Sequence, residues 1–234
     1  MKRVFSAVIA VAMLFAMHAT AFATTPEEAA RDIGKYGIMS GYADGSLRLE
    51  NNVTRAEASK MFAVAGGKLP KGAYENYTQT GPTDLSDFKD MPAGHWAYKF
   101  VSHAREYGWI GGFSDRTFRP NDNITCEQAV KIMVCLLNYD DLQKQNERTD
   151  TLAYPQMYVY IAQKIGLLNG LTVDLGGKAT RGFLAALIAN ALDIPIVEGT
   201  KKGYSLDSPS LYEFRIMNGE NATQLKTLRS TLEA

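Results

Sequence analysis

The feature that most constrains this chain is an internal repeat. Gly37, Gly108 and Gly166 each end a helix-forming stretch, and Thr54, Thr125 and Thr180 each open another. The first two cycles are offset by 71 residues at both landmarks (108 − 37 and 125 − 54), and the third follows at 58 and 55. Seven and eight residues after each threonine stands an apolar pair: Met61/Phe62, Ile132/Met133 and Leu187/Ile188. Each cycle therefore reads as helix, loop, helix. The glycines supply the left-handed geometry of a helix C-terminus, and Asp44-Gly45 is a turn pair in the first loop. Thr54 to Glu57 and Thr125 to Gln128 have the composition of capping boxes. In the third cycle Gly182-Phe183 stands in the corresponding place, and the box is broken. A unit of this size cannot bury a core of its own. The repeat predicts a mainly α fold in which three such units pack together.

Around this repeat the chain divides into an expected secretory signal at 1–23, a first repeat and linker at 24–82, and a second repeat and linker at 83–150. A third repeat follows at 151–196, and a tail at 197–234. Lys2 and Arg3 precede an apolar run from Val4 to Met17, with Ala21-Phe22-Ala23 as a small-x-small cleavage site. The run is short for a membrane span, and no later stretch is apolar enough to be one. The mature chain is expected to begin near Thr24, to be exported, and to lack a transmembrane segment. In the tail, Tyr212, Phe214 and Ile216 alternate with polar residues ahead of Asn218-Gly219, a pattern that predicts a β-hairpin.

The 25 basic and 25 acidic residues cancel, so no basic excess points to nucleic acid. The two cysteines, Cys126 and Cys135, fall nine positions apart in one predicted helix. They point to roughly opposite faces and cannot form a disulfide. Cys135 is expected in the core and Cys126 to be inert. Of three histidines, His18 lies in the signal, and His95 and His103 fit no metal-ligand spacing. No GxSxG elbow or P-loop is present. The reading is a binding protein, not an enzyme, with no cofactor.

The segment FKDMPAGHWAYKFVSHAREYGWIGGFSDRTFRPNDNIT resembles an S-layer homology repeat, with its FxD opening, tryptophan, glycine-rich turn, F-R-P loop and I-T start. GIMSGYADGSLRLENNVTRAE resembles the same family from its turn onward, and GLLNGLTVDLGGKATRGF is a weaker match. The resemblance implies a pseudo-threefold helical prism. It also implies non-covalent anchoring to the wall of a Gram-positive-type envelope, through anionic, pyruvylated secondary cell-wall polysaccharide held in grooves between repeats. Surface-layer proteins would be further partners. The alternative is a structural or protein-interaction subunit of the cell surface whose repeats have drifted.

Carried over residue by residue, the resemblance assigns ligand contact to Arg55 and Arg181 at the TRAE arginine, to the Asp44-Gly45 loop, to Asp115-Arg116 in the second loop, and to Trp96. Cys126 replaces the arginine in the second repeat, so one or two competent grooves are expected rather than three. An arginine in a helix's first turn would present a planar donor fork to a carboxylate, beside backbone N–H groups that favour an anion. Trp96 is expected in the core first and as a ligand wall second. The first cycle, which alone holds Asp-Gly and TRAE together, is expected to concentrate the chemistry.

Overall fold

A computed structural model of the chain describes residues 25–67, 84–140, 152–197 and 226–234. The signal segment, most of the 66–82 linker and the hairpin expected near 212–219 lie outside the described residues. Seven helices are described: α1 (Pro26–Gly34), α2 (Arg55–Ala65), α3 (Tyr98–Glu106), α4 (Cys126–Leu136), α5 (Gln156–Lys164), α6 (Arg181–Ala191) and α7 (Leu228–Glu233). Among the described residues there are isolated β-bridges but no strand.

The local signals act where the repeat places them. Gly37, Gly108 and Gly166 have φ of 73°, 71° and 79°, the left-handed region that lets the chain turn out of α1, α3 and α5. Thr54 and Glu57 cap α2 reciprocally. At α4 the box is looser: Gln128 Oε1 accepts from Thr125 N at 3.4 Å, while Thr125 Oγ1 is buried with no close hydrogen-bond partner among the described residues. At α6 Thr180 Oγ1 accepts from Phe183 N, and Phe183 has no carboxylate to return the bond. Thr25 caps α1 through a further reciprocal pair with Glu28.

The two helices of one cycle are not the main packing partners. The first helix of each cycle lies on the second helix of the cycle before it: α3 on α2, α5 on α4, and α1 on α6. The order therefore closes on itself. At its centre the residues preceding the three capping threonines form a ring of backbone hydrogen bonds. Ile124 N donates to Val53 O at 3.0 Å, Val53 N to Ala179 O at 3.0 Å, and Ala179 N to Ile124 O at 2.9 Å. All three side chains are buried, as are the apolar pairs, and one apolar cluster spans the cycles. Burial of that shared surface is what a single unit could not achieve.

One expectation is corrected. Trp96 is 53% exposed, because α3 begins only at Tyr98 and leaves Trp96 in the turn before it, outside the buried stripe of Phe100, Val101 and Ala104. The tryptophan in the core is Trp109, 5% exposed. The described end of the tail, residues 226–234, carries a short helix. Thr227 and Ser230 cap α7, and Leu228 is buried against the ring. Arg229 fixes the helix by reaching Asp193 at 2.6 and 2.9 Å, Asp32 at 3.1 Å and the Tyr36 hydroxyl at 3.0 Å.

Candidate functional site

The cyclic packing redistributes the residues that the sequence places together. Arg55, on cycle one, reaches into the loop of cycle two: Nε donates to Phe118 O at 2.9 Å and Nη2 to Gly111 O at 3.0 Å. Nη1 donates to Gln128 Oε1 at 3.3 Å. Arg181, on cycle three, reaches into the loop of cycle one, donating to Leu47 O and Ser40 O at 2.8 Å each. Arg55 thus belongs with Asp115-Arg116, and Arg181 with Asp44-Gly45. The expectation that cycle one alone assembles TRAE with Asp-Gly is overturned, because α2 opens against its neighbour's loop and not its own.

The N–H groups at these helix starts are also occupied. Arg55 N, Arg181 N and Cys126 N donate to Asp122 O, Asn51 O and Gly177 O, each three residues before the next capping threonine, at 2.8–2.9 Å. Ala56 N and Gly182 N donate to Pro120 O and Leu49 O. These groups bind neighbouring backbone, so they are not the open anion cradle expected from the sequence.

The two arginine-bearing interfaces match in detail. Asp44 binds Ser46 and forms an ion pair with Arg48 at 2.9 Å, and Asp115 does the same with Thr117 and Arg119 at 2.9 Å. Hydrogen bonds from Ser46, then Arg48, hold the Asp44 carboxyl down at about 2; those from Thr117 and Arg119 do the same for Asp115. Arg48 and Arg119 carry φ of 45° and 59° and lie 3.9 and 4.0 Å over the Tyr42 and Phe113 rings. Arg181 and Arg55 approach the same two rings, at 5.1 and 4.9 Å. Gly45 and Arg116 occupy one position in the two turns, with φ of 80° and 65°. Arg48 and Arg119 were not singled out from the sequence, although the shared Asp-x-x-x-Arg spacing carries the signal.

Asp90, from the FxD opening, steadies the second loop by accepting from Phe118 N and Arg119 N at 2.7 Å. The third interface is built differently. Cys126 is buried beside the backbone of Asp174, its thiol pushed up by burial, and Glu127 accepts from Gly176 N at 2.9 Å. No arginine enters that loop among the described residues.

A cavity of about 160 Å³ opens beside Arg55, lined among others by Gly111, Phe113, Gln128, Lys131 and Tyr154. No carboxylate lines it among the described residues. Arg55 is only 5% exposed, and burial lowers its pKa, but a guanidinium stays charged. Tyr154 and Tyr158 meet edge to face at 6.2 Å on one side. Trp96 and Phe100, 58 residues earlier, meet in the same way at 6.4 Å. Trp96 is therefore the counterpart of Tyr154 and does not line the Arg55 cavity.

These features define a ring of helical repeats with a cationic, aromatic-walled cleft at the Arg55 interface. The family model of the S-layer homology domain matches residues 34–59 and 87–130. The chain carries S-layer homology sequence in both segments. It is 28% identical over 85% of its length to a cell surface protein of Thermoanaerobacter kivui, covering 25% of that protein. It is 24% identical over 87% of its length to the middle cell wall protein of Brevibacillus brevis, covering 19%. It is 37% identical over 54% of its length to a cellulosome-anchoring protein of Acetivibrio thermocellus, covering 28%. The chain spans well under a third of the length of each of these relatives.

Proposed function

We propose that this chain anchors to the cell wall non-covalently, by taking an anionic, pyruvylated sugar of a secondary wall polymer into the clefts between its cycles. The observation that carries this reading is the cavity at Arg55, with two cations, three aromatic side chains and no carboxylate among its described lining residues. Such a lining suits a sugar whose ketal bears a carboxylate. The cations oppose its charge, and an aromatic face covers the apolar side of the pyranose. At about 160 Å³ the cavity is smaller than a drug-sized ligand site, which fits one substituted sugar with the rest of the polymer outside. The relatives named for cell wall, cell surface and anchoring roles support the same reading.

Arg55 and Arg181 serve here chiefly by shaping the loops that wall each cleft, and they add positive potential. Asp44, Gly45, Asp115 and Arg116 build those loops, and Trp96 and Tyr154 face the sugar. The test is retention of the exported chain on purified wall sacculi before and after removal of the secondary polymer. Retention that depends on the polymer supports the proposal. Retention that survives its removal refutes it and favours a protein-interaction role.

A further inference from the structure

We infer that Lys131 is the residue that contacts the ligand's negative charge in the Arg55 cavity, and that Arg55 is a positioning residue. This rests on the anionic-glycan reading above and assigns roles within that site. Arg55 has its Nε, Nη1 and Nη2 directed at Phe118 O, Gln128 Oε1 and Gly111 O, so three of its five N–H donors serve protein acceptors and fix its position. Lys131 projects from α4 into the same cavity, half-buried, and no carboxylate among the described residues pairs with it. Its ammonium lies 5.8 Å from the Tyr154 ring centre and 5.6 Å from that of Tyr158.

An ammonium held over two ring faces keeps three donors directed elsewhere, and a partly desolvated cation–π contact holds it in place without neutralising it. Tyr154 is 50% exposed, so its ring face is available to a sugar while Lys131 pairs with the carboxylate. Gln128 Oε1 already accepts from Arg55 and from Thr125 N, which leaves its amide nitrogen to donate to a hydroxyl. Lys60 holds the equivalent position on α2, six residues after its capping threonine, and Ala186 holds it on α6.

The chain has two tryptophans, and only Trp109 lines this cavity. In a Trp96→Phe background, Trp109 fluorescence can be titrated with a methyl galactoside bearing a 4,6-linked pyruvate ketal, and separately with its methyl ester. The acid is expected to bind and the ester much more weakly. Lys131→Gln should weaken the acid roughly ten- to hundredfold, the worth of one charge-assisted hydrogen bond. It should also abolish the acid-over-ester preference and leave the melting temperature unchanged. Lys131→Arg should restore most of the preference. Arg55→Ala should lower affinity and melting temperature together. A Lys131→Gln chain that keeps the acid-over-ester preference overturns the assignment, as does polymer-dependent retention on sacculi with no Trp109 response to the acid. Failure of the parent chain to be retained on polymer-bearing sacculi overturns the anchoring reading itself.

Discussion

Arg55 and Phe118 lie 63 residues apart, yet the arginine Nε donates to the phenylalanine carbonyl at 2.9 Å and its guanidinium lies 4.7 Å over the same residue's ring. One side chain thus ties two cycles together by a charge-assisted hydrogen bond and a cation–π contact. Truncating it leaves the Phe118 and Gly111 carbonyls without their donor. Arg55→Ala should cost about 3 kcal/mol, since each buried acceptor left unsatisfied costs about 1–3 kcal/mol. Arg55→Lys should recover only part of this, because an ammonium cannot span both carbonyls as the planar fork does. The urea midpoint of the three proteins, at unchanged slope, measures it.

The Arg55–Phe118 contact also marks where the sequence stops being informative. Helix starts, glycine turns and the buried apolar pairs are local, fixed by capping and by side-chain period, and they sit where the repeat predicts. Which cycle faces which is a non-local matter. Three related units offer similar apolar faces, and a linear repeat does not say whether α3 will pack on α2 or on α4. Residues adjacent in sequence, Asp44-Gly45 and Arg55, consequently end up in different clefts. Trp96 lies at the surface for a related reason: α3 starts two residues after it, and that start moves the side chain from the core stripe to solvent. Lys131 is inconspicuous in the sequence because a lysine on a helix is ordinarily solvated, and only the tyrosines of the next cycle give it a setting.

Acid should loosen the loops of cycles one and two. Asp44 and Asp115 each have a carboxyl pKa near 2, against an ordinary value of 3.8. A depressed native pKa means that the native state resists protonation, so its stabilisation is fully present above about pH 4 and is lost as pH falls toward 2. The double variant Asp44→Asn/Asp115→Asn should show a shallower loss of stability over that window. Urea midpoints at about pH 5 and pH 3 test it, and an unchanged pH slope would remove these two loops from the acid response.

Cys126 should be unreactive in the folded chain. It is buried at the start of α4, and burial raises its thiol pKa, which lowers the fraction of thiolate, the reactive form. Cys135, in the same helix, is buried as well. Ellman's reagent should therefore label neither thiol on mixing and both once urea unfolds the chain. Rapid labelling of one thiol without denaturant would show that the interface between cycles two and three opens readily.

Arg229 closes the ring from outside. It pairs with Asp193 at the end of α6 and with Asp32 on α1, while Tyr36 donates its hydroxyl to Glu233 at 2.7 Å. Burial pushes the Asp32 carboxyl up, but hydrogen bonds from Arg229 and Lys35 more than offset this and leave it lowered. These groups are only partly shielded from water, so Arg229→Ala should cost about 1–2 kcal/mol in total. The loss should be concentrated in α7. Amide exchange of residues 226–234 should accelerate well before that of α2, α4 or α6, whereas uniform acceleration would mean that α7 is integral to the ring.

The number of working clefts follows from what each interface assembles. One cleft combines Arg55, Lys131 and Tyr154, and Arg181, Lys60 and Trp96 hold the equivalent repeat positions at the neighbouring interface. The third interface has Cys126 in place of the arginine, Ala186 in place of the lysine, and Thr25-Pro26 at the start of α1 where the others have an aromatic. At these three positions it lacks the arginine, the lysine and the ring that the other two interfaces carry. Calorimetric titration with the pyruvylated galactoside should give two sites per chain. Trp96→Ala and Tyr154→Ala should each remove one, and together they should abolish binding, with base-line stability kept because both side chains are about half exposed. A stoichiometry of three would require Cys126 to sit in a competent cleft. A stoichiometry of one surviving Trp96→Ala would confine recognition to the Arg55 side, where the cation and ring are already in contact.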